Sequence, residues 1–295
     1  MRASVVIASY NGADKFPDTL QALAGQTVKD FEVVLVLDGS KDNSAAIANA
    51  NPWKLDNLIV LDQENAGRSG ARNSGVAKTN SDILIFIDDD VLAYPDFIEK
   101  HIEEQKKHDV VVGILEPDDR MAKDKDFVNF CSYMNDKWNE GAFHDEKIKQ
   151  EITYITAANF SIKKTLFKSI GGFDARLRDA EDFDMALKLK AQGVKINLDP
   201  TIVAKHMIFG TFTQYMNRMK EYGKAREKLV EVNPLAGDFF KKNEHQFSLP
   251  KKVFFYMFSF NFWPKLADKK MLMFIPPKLR YRMYDFMLTA NTIFR

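Results

Sequence analysis

Three consecutive aspartates, Asp88, Asp89 and Asp90, follow directly after the apolar residues at positions 83–87. Adjacent carboxylates repel one another, so a strand that ends in three of them needs a positive charge nearby. A divalent cation such as Mn²⁺ or Mg²⁺ would supply it, because hard cations bind carboxylate oxygens and share them with substrate phosphates. A solvated acidic turn is the simpler alternative, and the stretch alone leaves both explanations open.

A second acidic segment, residues 179–184, reads DAEDFD and leads into a helical pattern. Acidic side chains in the first turn of a helix are stabilised by the helix dipole, so helix capping is a competing explanation for them. Glu181 and Asp182 together exceed what a cap requires. This makes the pair a candidate for acid–base chemistry.

The elements that must position these acids alternate along the chain, with short apolar strands between helical segments of about ten to fifteen residues. This alternation predicts βαβ units and a parallel sheet, and ligands of such sheets bind outside the carboxyl ends of the strands. The predicted strands are 3–8, 31–37, 58–61, 83–87, 110–115, 152–161, 194–196 and 202–204. The predicted helices are 16–26, 42–50, 95–107, 163–170 and 185–191.

A glycine-rich segment, ENAGRSGARNSGVAK at residues 64–78, precedes the strand that ends in the three aspartates. Its glycines permit close backbone approach, and Arg68 and Arg72 supply positive charge beside a nucleotide site. The segment matches neither the P-loop nor the dinucleotide fingerprint. Taken without its neighbours, it is better explained as a surface helix with solvated arginines.

The composition is that of a globular protein that can bury its core in one large domain or two smaller ones. Cys131 is the single cysteine, so an intramolecular disulfide is excluded and a reducing compartment fits. We expect no secretory leader at the N-terminus. We also expect no membrane span, because no apolar run approaches about 18 residues.

The net charge of +1 conceals a basic C-terminal tail, since the chain from Lys205 onward has 17 Lys and Arg against 7 Asp and Glu. Basic residues interleaved with aromatics suggest an anionic partner, either a membrane surface or a charged substrate. No recognised nucleic-acid-binding motif is present. Packing of the aromatics within a helical subdomain is the alternative, and we favour it as the main role of the tail.

The order of these motifs resembles that of the family 2 glycosyltransferases, which have the GT-A fold. The resemblance covers about residues 3–206 and rests on VVIASYNG, VLVLDGSKDNS, NAGRSGARNSG, ILIFIDDDV, TAANFSIKK, GGFDARLRDAEDFDMALKLKAQG and His206. It implies an α/β, Rossmann-like GT-A catalytic domain at residues 1–208, with a mixed, mainly parallel sheet flanked by helices. Residues 209–295 would form a basic, aromatic, mainly helical extension outside the matched region.

The resemblance also implies a nucleotide-sugar site at the carboxyl ends of the strands. The residues that would bind the donor are Ala8, Ser9, Tyr10, Asn11, Asp38, Arg68, Arg72, Asp88 and Asp89. Asp38 would accept a hydrogen bond from the base, usually uracil, with Arg72 beside it. Many members carry an acid where this chain has Leu37, which leaves guanine or thymine open.

The metal ligands that the resemblance implies are Asp90, Asp88 and His206, and the ion would be Mn²⁺ or Mg²⁺. Asp90 would bind the metal directly, and His206 would complete its coordination through an imidazole nitrogen. Asp88 would also contact the ribose or the donor sugar, and Asp89 would have a supporting role.

Asp182 matches the catalytic base of inverting members, with Glu181 binding the acceptor or positioning Asp182. The implied activity is metal-dependent transfer from a nucleotide sugar, with UDP-sugars favoured, to a hydroxyl of a glycan or lipid-linked acceptor in surface polysaccharide or glycolipid synthesis. Nucleic acid is not an expected partner. A cytoplasmic protein is expected, with peripheral contact to an anionic membrane at its inner face left open. A nucleotidyltransferase and a non-catalytic sugar-nucleotide or glycan-binding module are the alternatives.

Overall fold

A sheet of eight strands organises the part of the chain that the computed structural model describes, residues 2–144, 155–242 and 247–294. The strands are β1 (Ala3–Ser9), β2 (Phe31–Asp38), β3 (Leu58–Gln63), β4 (Ile83–Asp88), β5 (Val91–Ala93), β6 (Val110–Asp118), β7 (Phe160–Lys163) and β8 (Ile196–Met207). Their order is β3-β2-β1-β4-β7-β6-β8-β5.

The sheet is mixed, and its parallel half holds the strands of the predicted site. Strands β3, β2, β1 and β4 run parallel, whereas β7 is antiparallel to both β4 and β6, and β5 is antiparallel to β8. All eight residues of β2, FEVVLVLD, are buried, as expected for a strand covered on both faces. The predicted mixed, mainly parallel α/β sheet is therefore confirmed.

Helices flank the sheet and form a second region. They are α1 (Phe16–Ala24), α2 (Ser44–Ala50), α3 (Gly67–Lys78), α4 (Phe97–Glu104), α5 (Lys125–His144), α6 (Lys164–Ser169), α7 (Glu181–Ala191), α8 (Phe212–Val232), α9 (Pro234–Lys242), α10 (Leu249–Tyr256), α11 (Phe262–Asp268) and α12 (Pro277–Ile293). None of these helices is both long and apolar enough to cross a membrane.

The chain divides into two units, Met1–Glu116 with Ala142–Met207 and Pro117–Gly141 with Ile208–Arg295. The second unit has its own aromatic core, in which Phe130 and Phe212 lie against Tyr284 with ring centroids 5.3 and 4.6 Å away. The predicted helical C-terminal region is thus confirmed. The division into domains 1–208 and 209–295 stays a prediction, and the second unit also takes in residues 117–141.

Two strand predictions are wrong. Residues 152–154 lie outside the described residues, and residues 155–159 form no strand, because their apolar side chains are buried in a turn that leads into β7. The strands predicted at 194–196 and 202–204 are one strand, β8, which continues through Pro200. The Asp199 carboxylate accepts bonds from the Thr201 backbone N–H and hydroxyl at this point.

Candidate functional site

The site begins at the edge where three parallel strands end. The register pairs Ala8 of β1 with Asp88 of β4, and Ser9 of β1 with Leu37 of β2, the residue before Asp38. Because parallel strands end at the same edge of a sheet, the polar residues that follow each apolar run lie together there. The local sequences explain this arrangement: each strand is buried up to its last residues, and its acids come where the apolar run stops.

Arg72 joins this edge to the second acidic segment. Its Nη2 donates to Asp88 Oδ1 at 2.7 Å, and its Nη1 donates to Glu181 Oε1 at 2.5 Å. Arg72 shares the buried face of α3 with Ser69 and Gly75, so its guanidinium is held inside the protein. Burial would raise the pKa of Asp88, but the adjacent Arg72 charge lowers it below the ordinary value.

The contact made by Arg72 differs from the sequence-based expectation, which placed it beside Asp38. Asp38 is instead held by the last residue of β3 and the segment that follows it. Its Oδ1 accepts from Gln63 Nε2 and from the Ala66 backbone N–H, both at 2.8 Å, and its carbonyl accepts from Asn65 Nδ2 at 2.8 Å. These contacts fix the carboxylate at the carboxyl edge of β2.

Asp89 is directed into the protein. It is 9% exposed, accepts a 2.6 Å bond from the Ser9 hydroxyl, and its carbonyl accepts from Thr19 Oγ1 at 2.9 Å. Burial, reinforced by the charge of Asp90, raises the pKa of Asp89 to about 6. The Ser9 and Asp89 side chains therefore hold the ends of β1 and β4 together, and their predicted contact with the donor stays a prediction.

The remaining residues predicted from the first strand lie in its loop. Tyr10 is 53% exposed, whereas Asn11 has a left-handed backbone with φ of 48°. Asn11 donates its backbone N–H to Ser40 Oγ at 3.0 Å, and its side-chain oxygen accepts from the Lys41 N–H at 2.8 Å. The loops after β1 and β2 are thus tied together, with the Tyr10 ring open to a ligand.

Asp90 and His206 form the pair that best fits a metal. Pairing of β5 with β8 sets Val91 opposite His206, and the His206 Nε2 lies 3.1 Å from Asp90 Oδ1. Burial would lower the pKa of His206, but its bond to the Asp90 carboxylate raises it above the ordinary value. No group of three or more His, Cys, Asp and Glu side chains converges as a metal centre within the described residues.

The chemistry of the Asp90–His206 pair still suits a divalent ion. The imidazole nitrogen and the carboxylate oxygen lie at hydrogen-bonding distance, and both atom types are ligands for Mn²⁺. Asp88 has a contact of its own, because its Oδ1 accepts a hydrogen bond from Arg72 Nη2. Two protein ligands would leave most of the coordination sphere to phosphate oxygens and water.

Asp182 lies in the first turn of α7, which begins four residues earlier than the sequence predicts. Ala180, the residue just before the helix, has a left-handed backbone with φ of 64°. This conformation costs energy for any residue with a Cβ and is found at functional sites. The Phe183 backbone N–H donates to Asp182 Oδ1 at 2.7 Å. Burial, followed by the like charge of Glu181, raises the pKa of Asp182 to about 7.

Arg68 lies on the exposed side of the same region. Its side chain is 54% exposed, and its Nη1 is 3.3 Å from Asp179 Oδ1. It lies next to the acidic segment, and its charge helps to lower the pKa of Asp88.

Three residues of this region were not predicted from the sequence. They are Gln63 and Asn65, which donate hydrogen bonds to Asp38, and the strained Ala180. Gln63 and Asn65 could have been predicted, because they lie at and just after the end of β3, at the same edge as the residues that end β1, β2 and β4. The strain at Ala180 has no signal in the sequence, since alanine carries no preference for a left-handed backbone.

Comparisons with known proteins identify the family of this chain. The sequence model of the family described as Glycosyl transferase family 2 matches residues 4–180. An uncharacterized glycosyltransferase of Rickettsia typhi is 26% identical over 292 residues, covering 91% of this chain and 86% of that protein.

Two solved structures share the fold. The mannosyltransferase PcManGT from Pyrobaculum calidifontis, in complex with GDP-Man and Mn²⁺, has a TM-score of 0.65 and 16% identity, with 99% of this chain and 86% of that one covered. Residues 1–349 of S. aureus TarS, in complex with UDP, have a TM-score of 0.57 and 18% identity, with 99% and 90% covered.

Proposed function

Because the chain belongs to glycosyl transferase family 2 and has the GT-A fold, we propose that it is an inverting, metal-dependent enzyme that transfers a sugar from a nucleotide-sugar donor. Membership of this family makes the protein a glycosyltransferase. It also favours this activity over the nucleotidyltransferase and the non-catalytic binding module that the sequence left open.

The observation that carries the proposal is the Arg72 bridge between Asp88 and Glu181. It ties the acid at the end of β4, where a donor would bind, to the residue beside Asp182. With its pKa raised to about 7, Asp182 is ionised in part at neutral pH and can take a proton from an acceptor hydroxyl. The hydroxyl oxygen would then form a bond to the anomeric carbon as the bond to the nucleoside diphosphate breaks on the opposite face.

For the donor, we propose a UDP-sugar, with Asp38 as the residue that contacts the base. The two bonds that Asp38 accepts from Gln63 and Ala66 both fall on Oδ1, so Oδ2 is the oxygen we assign to a base N–H. Tyr10, with its exposed ring, is suited to cover the base or the ribose. Structural neighbours have been solved with UDP and with GDP-Man, so a guanine donor is the alternative.

Asp90 and His206 would hold the Mn²⁺ or Mg²⁺ ion, with Asp88 beside it. The metal would neutralise the diphosphate as it becomes the leaving group. A structural neighbour carries Mn²⁺ together with its GDP-Man donor, which supports metal dependence.

For the acceptor, we propose a hydroxyl of a glycan or lipid-linked saccharide in surface polysaccharide or glycolipid synthesis, as the family resemblance suggests. A lipid-linked acceptor would bring the enzyme to an anionic membrane, and we include that contact in the proposal. A cytoplasmic setting fits the single cysteine.

The test is Asp182→Asn, assayed as release of nucleoside diphosphate from UDP- and GDP-sugars and, in parallel, as donor binding. Loss of a general base should lower turnover by about 10²–10⁴-fold while donor affinity stays within about twofold. Asp199→Asn, which replaces an aspartate of strand β8, is the matched control and should retain turnover. Equal turnover in the two variants would contradict the role of Asp182.

A further inference from the structure

Helix α10 is attached to the second unit mainly through two phenylalanines. It buries none of its residues, although LPKKVFFY is mostly apolar. Phe254 and Phe255 pack on Phe286 of α12, with ring centroids 5.2 and 6.0 Å away. These contacts explain how α10 is held in place. On the other side of the helix, Tyr256 lies against the rings of Phe260 and Phe294, with centroids 5.3 and 5.6 Å away.

The other side of α10 is an exposed apolar face. Leu249, Val253, Tyr256 and Met257 are 75%, 61%, 55% and 53% exposed. Their spacing of four, three and one residues places them on one face of the helix, opposite the phenylalanines that pack inward. Apolar side chains that share an exposed face in this way mark an interaction surface rather than isolated surface residues.

A second exposed apolar group lies at residues 269–279, which comprise the turn between α11 and α12 and the first three residues of α12. Phe274 is 83% exposed, and Met271, Met273 and Leu279 are 56%, 49% and 53% exposed. The buried Arg280 side chain holds the turn in place, because its Nη1 donates to the Ile275 carbonyl and its Nη2 donates to Asp126. The structure thus presents these side chains to solvent on a fixed support.

The charge around both groups has a single sign. Between Phe247 and Phe294, every exposed charged side chain is basic. These side chains are Lys251, Lys252, Lys265, Lys269, Lys270, Lys278 and Arg282. The two acids of this stretch, Asp268 and Asp285, accept hydrogen bonds from Thr211 and Lys137 and are not exposed.

We propose that the outer face of α10 and the 269–279 turn dock the second unit onto an anionic lipid bilayer. An anionic bilayer combines a negatively charged surface with an apolar interior, and this is the combination that lysines beside Leu249, Val253 and Phe274 fit. A second copy of the chain would set lysines against lysines. A nucleic acid would offer no apolar depth for the aliphatic side chains.

The experiment is flotation of the full chain with phosphatidylcholine vesicles, prepared with and without an equal part of phosphatidylglycerol. The chain should float only with the anionic vesicles. Removing two of the lysines, in the double variant Lys251→Gln with Lys252→Gln, should lower the partition coefficient by about 25-fold, since each contributes an attraction of about fivefold. Leu249→Ser with Val253→Ser should lower it by at least about tenfold.

The matched controls change the same residue types elsewhere. Val230→Ser with Leu235→Ser replaces a Val and a Leu that are 41% and 42% exposed on α8 and α9. Lys106→Gln with Lys107→Gln removes two exposed lysines from the turn after α4. Both should bind vesicles like the wild type. Because all four double variants replace exposed side chains, circular dichroism should show them folded.

Four results would overturn the proposal. The first two are binding to neither vesicle and equal binding to both. The third is an equal loss of vesicle binding in the α10 variants and their controls. The fourth is a lipid-independent dimer that dissociates in the double variant Leu249→Ser with Val253→Ser. The dimer would show that the face joins two copies of the chain. No donor or acceptor enters the assay, so its outcome is independent of the proposed transferase activity.

Discussion

Replacing the buried arginine, Arg72→Met, should destabilise the protein strongly. The Arg72 side chain is 3% exposed, and its partner Glu181 is 6% exposed. Without the guanidinium, Glu181 keeps a negative charge in the interior with its main cationic partner gone. Removal of one partner of such a pair costs about 3–5 kcal/mol, because an uncompensated charge remains buried. Loss of the contact with Asp88 adds less to this free-energy cost, since the Asp88 side chain is 32% exposed and water screens its charge.

The assay is urea denaturation of a double-mutant cycle with Arg72→Met, Glu181→Gln and both together. Once Glu181 is neutral, loss of Arg72 leaves no charge stranded at that position. The free energy of unfolding lost on Arg72→Met should then be at least about 1.5 kcal/mol smaller than in the wild-type background, which is the coupling expected of residues in contact. Arg176→Met is the matched control, because the Arg176–Asp174 pair is also an arginine–aspartate contact but its arginine is 67% exposed.

The Arg176 variant should lose much less of its free energy of unfolding than Arg72→Met, because water screens the exposed guanidinium. The reasoning is refuted if Arg72→Met and Arg176→Met have the same effect on unfolding, or if the cycle shows no coupling between Arg72 and Glu181. Either result would mean that the bridge between the end of β4 and the start of α7 does not form in solution.

Three further predictions concern the ionisable groups of the site. First, kcat/KM should rise with pH through an apparent pKa near 7 and level off above it, because Asp182 must be ionised to act as a base; initial rates that stay flat across pH 5 to 8 would count against this role. Second, the raised pKa stabilises the folded state below the unfolded value of about 4, and this stability is lost as pH rises through about 7. Thermal unfolding should therefore show Asp182→Asn gaining stability relative to the wild type above neutral pH, and an unchanged difference would disprove the shift. Third, Asp38→Asn should weaken nucleotide binding by about 10–100-fold, the usual effect of losing a hydrogen bond to a charged group, and calorimetry that finds unchanged affinity would remove Asp38 from the base contact.

The strands that carry the site could be predicted because their signal is local. Residues 83–87 are a continuous apolar run and residues 31–37 are apolar apart from Glu32, and the structure buries them on both faces of the sheet. The rule that ligands bind at the carboxyl ends of parallel strands then indicated Asp88 without any tertiary information, and the family resemblance added Asp38. The functional roles of these residues stay predictions.

The partners of individual side chains could not be predicted, because they depend on distant parts of the chain. Arg72 meets Glu181 across 109 positions, and nothing in the local sequence distinguishes that contact from one with Asp38. Three adjacent aspartates likewise look equivalent in the sequence. In the structure, Asp88 faces Arg72, Asp89 faces Ser9 and Asp90 faces His206, because successive residues near a strand end point in different directions.

The most direct test of the account is calorimetric titration of the protein with UDP, GDP and dTDP, each with Mn²⁺ and again with EDTA. We predict tight binding of one nucleotide, UDP in the first instance, that EDTA weakens strongly and that Asp90→Asn weakens in the presence of Mn²⁺. Retained binding in EDTA would remove the metal from nucleotide recognition. Absence of binding by any of the three nucleotides to folded protein would contradict the proposed nucleotide-sugar donor and the transfer reaction built on it.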